Sequence, residues 1–149
     1  MTTTVGTENT LESLLEDLVQ LDYDAADAYQ AAIDRLEDAR LRNTLAEFKR
    51  DHLRHITELG DILSSMGRTP PKEGDMKALL TKGKVVIAGL MGDESILQAM
   101  RTNEADTNTA YERAVQFKGL PSSTRDVLQR GLEDERHHCE WILDTLKQF

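Results

Sequence analysis

Six side chains stand where a helical protein would ordinarily place leucine: Asp22, His52, His55, Glu104, Glu135 and His138. Carboxylate oxygens and imidazole nitrogens in one place suit divalent iron, manganese or zinc. Asp22 and Glu104 are single acids. His52 with His55, and Glu135 with His138, are pairs at i and i+3, a separation that puts both groups on one face of a helix. Burying an unpaired charge costs on the order of several kcal/mol, so such groups in one interior need one another or a cation.

The elements that must position these residues follow from the apolar period, which is helical almost throughout. Helix A carries Leu11, Leu15, Leu18, Asp22, Ala25, Tyr29, Ala32 and Leu36, in steps alternating four and three, after a capping box of Asn9 with Glu12. A polar corner at Asp38 leads to helix B, with Leu45, Phe48, His52, His55, Leu59, Ile62 and Met66, ended by Gly67 and Pro70-Pro71. Residues 72–92 contain Gly74, Gly83, Gly89 and Gly92 and a short apolar stretch, and read as a long crossover with a small helix of its own. Helix C carries Leu97, Met100, Glu104, Thr107, Tyr111 and Ala114. Gly119-Leu120-Pro121 turns the chain, and a second capping box of Ser123 with Asp126 opens helix D, with Leu128, Gly131, Glu135, His138, Ile142, Thr145 and Phe149.

This reading predicts an all-α protein: a four-helix bundle of two antiparallel hairpins joined by a long crossover with a short extra helix, the connectivity of ferritin-like bundles. A five-helix array completed by the crossover helix is the alternative. Residues 1–8 are polar and read as a disordered tail, leaving 9–149 as one domain. At ~1.5 Å per residue the six polar groups share one slab, about 22–27 Å from the hairpin corners. The halves also repeat: Asp22 and Tyr29 match Glu104 and Tyr111, and His55 followed by Leu59 matches His138 followed by Ile142.

On the acid-to-tyrosine spacing in helices A and C and Glu135-x-x-His138 in helix D, residues 10–148 resemble the ferritin-like superfamily, closest to small bacterial ferritin-like proteins related to rubrerythrin and bacterioferritin. The resemblance implies a site for two irons, with Asp22 and Glu104 as terminal ligands, Glu135 as a bridge, and His55 and His138 as imidazole ligands. Asp22 is one methylene shorter than the family's glutamate, and His52 stands where the family has a bridging glutamate. Three carboxylates then face two dications. A single metal, an asymmetric pair, a site using the neighbouring Asp51, and a degenerate site all remain open. Tyr29 and Tyr111 lean back toward the layer and are candidates to hydrogen-bond its ligands, as are, more weakly, Thr107 and Asn103.

The function expected is metal binding by one or two iron ions, or by zinc or manganese, with redox chemistry toward oxygen or peroxide. The alternative is a non-enzymatic stress-associated or scaffold bundle whose site has decayed or holds structural zinc. One cysteine, Cys139, excludes an internal disulfide and a rubredoxin-type site, so redox turnover calls for an external electron donor. A formal net charge of −9 argues against nucleic-acid or anionic-membrane partners. The N-terminus has no signal-peptide pattern, no apolar run reaches the roughly 20 residues of a membrane span, and a cytoplasmic protein is expected. A helix of the kind that closes ferritin's storage cage is not apparent after helix D, and a homodimer is the expected assembly. His137 is expected at the surface, Cys139 partly buried, and the runs Arg35-Leu-Glu-Asp and Glu133-Asp-Glu-Arg on solvated helix faces.

Overall fold

A computed structural model describes residues 3–73 and 86–149. Among them run four long helices: α1 (Leu11–Arg35), α2 (Ala39–Ser65), α3 (Asp93–Ala114) and α4 (Ser122–Leu146). The expected crossover helix falls largely on residues outside those described; at its far edge, 86–88 make one helical turn and Ile87 is buried.

Local chemistry starts and stops these helices, though not always at the expected residue. Thr10, not Asn9, caps α1: it is extended, and its hydroxyl accepts from the Ser13 N–H at 3.2 Å. Asp38 caps α2 by accepting from the Arg40 N–H at 2.8 Å. Gly67, at φ +77°, closes α2, and the Arg68 N–H reaches back to the Leu63 carbonyl at 2.9 Å. The expected Ser123–Asp126 box is not used. Helix α4 starts two residues earlier, at Ser122 with Pro121 in the cap position, so Ser123 already lies inside its first turn.

Contacts at the helix ends set the topology. At the α1/α2 corner, Asp93 at the start of α3 accepts from the Glu37 and Asp38 N–H groups at 2.8 and 3.1 Å. At the opposite end Arg113, near the close of α3, donates to the Thr3 and Val5 carbonyls at 2.7 and 3.1 Å. Helices α1 and α3 are therefore antiparallel, and the connection from α2 to α3 begins at one end of the bundle and finishes at the other. Helices α2 and α4 are also antiparallel, with Asp51 meeting His138 and Glu58 meeting Arg130. The polar residues 3–7, where fraying is expected, lie against α3 with Val5 buried.

Two apolar clusters fill the interior. One gathers Leu14, Leu18, Leu59, Leu63, Ala110 and Leu128; the other, toward the α1/α2 corner, gathers Ala32, Leu45, Phe48, Leu97, Met100 and Ile142. The helical stripes read from the sequence are the buried faces, with deviations at the ends. Leu63 is buried where Ile62 and Met66 are only partly so, and Phe149, beyond the end of α4, is 57% exposed. Between the two clusters lies a polar layer.

Candidate metal centre

The layer consists of Asp22 from α1, His52 and His55 from α2, Glu104 from α3, and Glu135 and His138 from α4, all buried. Each helix supplies its residues from near its middle, so apolar side chains shut out water above and below. All six residues singled out in the sequence meet here. His52 Nδ1 lies 2.8 Å from Asp22 Oδ1, and His55 Nδ1 lies 3.1 Å from the same oxygen. Glu135 Oε1 is 3.5 Å from each of those two nitrogens. On the other side, Glu104 Oε1 is 3.6 Å from His52 Nε2 and 3.4 Å from His138 Nδ1, and Glu135 Oε2 is 3.8 Å from His138 Nδ1.

The tyrosines reach the layer from two turns away. Tyr111 donates its hydroxyl proton to Asp22 Oδ2 at 2.6 Å, and Tyr29 donates to Glu104 Oε1. Each tyrosine thus holds the single acid of the other hairpin. Burial and the facing carboxylates push both hydroxyls well above their usual range, so they remain donors. Thr107 donates to Glu104 Oε2 at 3.2 Å. Among the described residues Asn103 makes no such contact, its Nδ2 being buried without a hydrogen-bond partner, whereas Asn108 donates to the backbone carbonyls of Glu104 and Glu135 at 2.8 and 3.0 Å and ties α3 to α4.

Two further residues complete the layer. Asp51 Oδ2 lies 2.8 Å from His138 Nε2, and Asp134 Oδ2 lies 2.9 Å from His55 Nε2. Each carboxylate precedes the first residue of its own helix's pair and holds the imidazole of the opposite helix. This fixes which ring nitrogen faces inward and supports its basicity, as outer carboxylates do for metal-bound histidines. Asp51 thus lies against the outer nitrogen of His138. Asp134 corrects the reading of its run as a solvated face: Arg54 pairs with it from the outer side while His55 takes the inner side. The sequence signal was the repeat Asp51-His52-x-x-His55 and Asp134-Glu135-x-x-His138.

Charge within the layer is tightly coupled. Burial works to raise the Asp22 and Glu104 carboxyls, but the facing histidines hold both below the ordinary range. Glu135 is pushed up, by burial first and then by the charge of Glu104, against the pull of His52. Within the six-residue layer four buried atoms have no hydrogen-bond partner among the described residues: both oxygens of Glu135, His52 Nε2 and His138 Nδ1. They converge on the centre of the layer. Two groups of four residues bring ligand atoms within 4.8 Å of one another: Asp22, His52, His55 and Glu135, and His52, Glu104, Glu135 and His138. A divalent ion with bonds of about 2.1 Å keeps neighbouring ligand atoms roughly 3.0–3.4 Å apart, within the 2.8–3.8 Å range of the nitrogen–oxygen pairs here.

The remaining candidates lie elsewhere. His137 is exposed, and Cys139 is half-buried on the outer side of α4 with its thiol pushed up by burial. Trp141 packs edge-on against Phe48, which stacks on His138 at a ring-centroid distance of 4.2 Å. Among the described residues no helix is long and apolar enough to cross a membrane.

Fold and layer together define an all-helical bundle whose buried carboxylates and imidazoles could hold a metal ion. The chain belongs to the family described as Domain of unknown function (DUF2383), a member of the ferritin-like fold clan, whose model matches residues 10–117. That match covers Asp22, His52, His55 and Glu104 and ends before Glu135 and His138. No curated protein matches the chain significantly.

Proposed function

We propose that this chain is a ferritin-like metal-binding protein whose buried layer takes up divalent iron and serves redox chemistry toward oxygen or peroxide. The observation that carries this reading is the convergence of four buried atoms with no hydrogen-bond partner among the described residues, Glu135 Oε1 and Oε2, His52 Nε2 and His138 Nδ1. A purely hydrogen-bonded layer leaves such atoms at a cost of about 1–3 kcal/mol each. A cation satisfies them together. Asp22, Glu104 and Glu135 supply negative charge, the histidines fix geometry, and Asp51, Asp134, Tyr29 and Tyr111 hold the ligands in place. Bound iron would supply the electrons for reducing oxygen or peroxide. In this reading an external donor returns those electrons, and the working unit is a cytoplasmic homodimer.

Protein prepared with Fe(II) under argon should retain iron stoichiometrically and develop a charge-transfer absorption when air is admitted. The His138→Ala variant, with its helicity preserved, should lose occupancy; full iron retention by that variant sinks the proposal. Retention of zinc with no oxygen response would favour a structural site, and no metal at all a decayed polar layer.

A further inference from the structure

Resting on the reading that the layer binds divalent metal, we propose that His52 is a bridging ligand, giving one ring nitrogen to each of two metal positions. The two ligand groups share two members, His52 and Glu135. The His52 ring lies between them: Nδ1 faces Asp22 Oδ1 at 2.8 Å and Glu135 Oε1 at 3.5 Å, while Nε2 faces Glu104 Oε1 at 3.6 Å. Glu135 divides in the same sense, with Oε1 toward His52 and His55 and Oε2 toward His138. Hydrogen bonds to Asp22 account for His52 Nδ1 and His55 Nδ1 of the first group, but not for Glu135 Oε1. They do not reach the second, where His52 Nε2, His138 Nδ1 and Glu135 Oε2 are buried with no hydrogen-bond partner among the described residues and meet one another and Glu104 only at 3.4–3.8 Å.

Charge points the same way. Two dications facing Asp22, Glu104 and Glu135 are left with one unbalanced positive charge. An imidazole that ligates through both nitrogens has given up both ring protons to solvent and carries one negative charge. The layer then offers four negative charges to two dications. The histidine at position 52 thus replaces a carboxylate bridge with a longer bridge of equal charge. The ring's span holds the ions further apart than the about 3.5–4 Å usual for two-metal sites. It selects ions with high affinity for imidazole, such as iron, cobalt, copper and zinc, over magnesium or calcium.

The full chain, stripped with chelator, is loaded with Co(II) for metal analysis and X-ray absorption, and with Cu(II) for electron paramagnetic resonance. Two ions per chain are expected, with no metal–metal vector below about 4 Å. The copper signal should grow to one equivalent and then fall as the second ion couples through the ring. His52→Gln should hold one ion and show no fall. The proposal is overturned by a short metal–metal vector, by two uncoupled coppers, or by wild-type protein that stops at one ion. Failure to retain any metal overturns the metal-binding reading itself. If His52→Gln does not fold, the wild-type spectra decide alone.

Discussion

His52, His55 and His138 are imidazolium ions in the metal-free protein: against the cost of burial, the facing carboxylates push them up to about 10, about 9 and about 12. An unfolded histidine titrates near 6.5, so the stability these residues contribute is complete below about pH 6.5 and is lost as pH rises through about 9 to 12. Asp22 and Glu104, held low, contribute in the opposite sense, and their share disappears as the solution is acidified. Metal-free protein should accordingly be most stable near pH 5–6.5. Metal must displace these protons, so affinity for Zn(II) or Fe(II) should rise with pH until it has passed about 9 to 12. Calorimetry in two buffers of different ionisation enthalpy should register about one or more protons released per ion at pH 7; none released would contradict the assignment. The six interior residues were legible because a charged side chain on an apolar stripe has no other reason to be there. Asp51 was legible only as a substitute for the missing glutamate, and Asp134 only as part of a solvated run. They lie about 100° from the stripe, and a helix in a bundle presents its flanks to neighbours as well as its seam to the core.

Gly131 shows how a helix can be shaped by what it must admit. A Cβ there would stand 2.5 Å from Cε1 of Tyr111, and nothing in the helix itself calls for glycine, which costs about 1 kcal/mol relative to alanine in a helix interior. Its absent side chain lets the Tyr111 ring approach closely and place its hydroxyl on Asp22, the shorter of the two single acids. Phe48 occupies the corresponding place in the other hairpin, four residues before His52 as Gly131 is four before Glu135. Gly131→Ala should therefore destabilise the fold by about 1–3 kcal/mol in spite of its better helix propensity. Denaturant unfolding measures this, and a more stable variant would refute the packing account. The helices as periodic elements were readable from the sequence, because burial on one face enforces the period. Their first residues were less so: several hydroxyl or carboxylate side chains stand near each start, and backbone geometry selected Thr10 over Asn9 and made no use of Ser123.

For the molecule as a whole, a centre drawing ligands from all four helices can form only once both hairpins have docked. Metal bound there stabilises the folded chain by mass action, about 2.7 kcal/mol at a hundredfold excess over the dissociation constant. For a chain of this size that corresponds to a rise in melting temperature of roughly 5–10 °C. Calorimetric scans with Fe(II), Zn(II) or Co(II) should show it in wild-type protein and lose it in His138→Ala; an unmoved transition with every ion would leave only the polar layer. The antiparallel contact of every neighbouring helix pair bears on the same centre. Helices α1 and α4 run one way and α2 and α3 the other, so their macrodipoles oppose one another. The layer sits roughly a dozen residues, ~18 Å, from the helix ends, beyond the reach of their partial charges. Backbone therefore lends the interior no electrical bias. The potential felt there is written by side chains alone, and exchanging one of them, as at position 52, resets it for the entire layer.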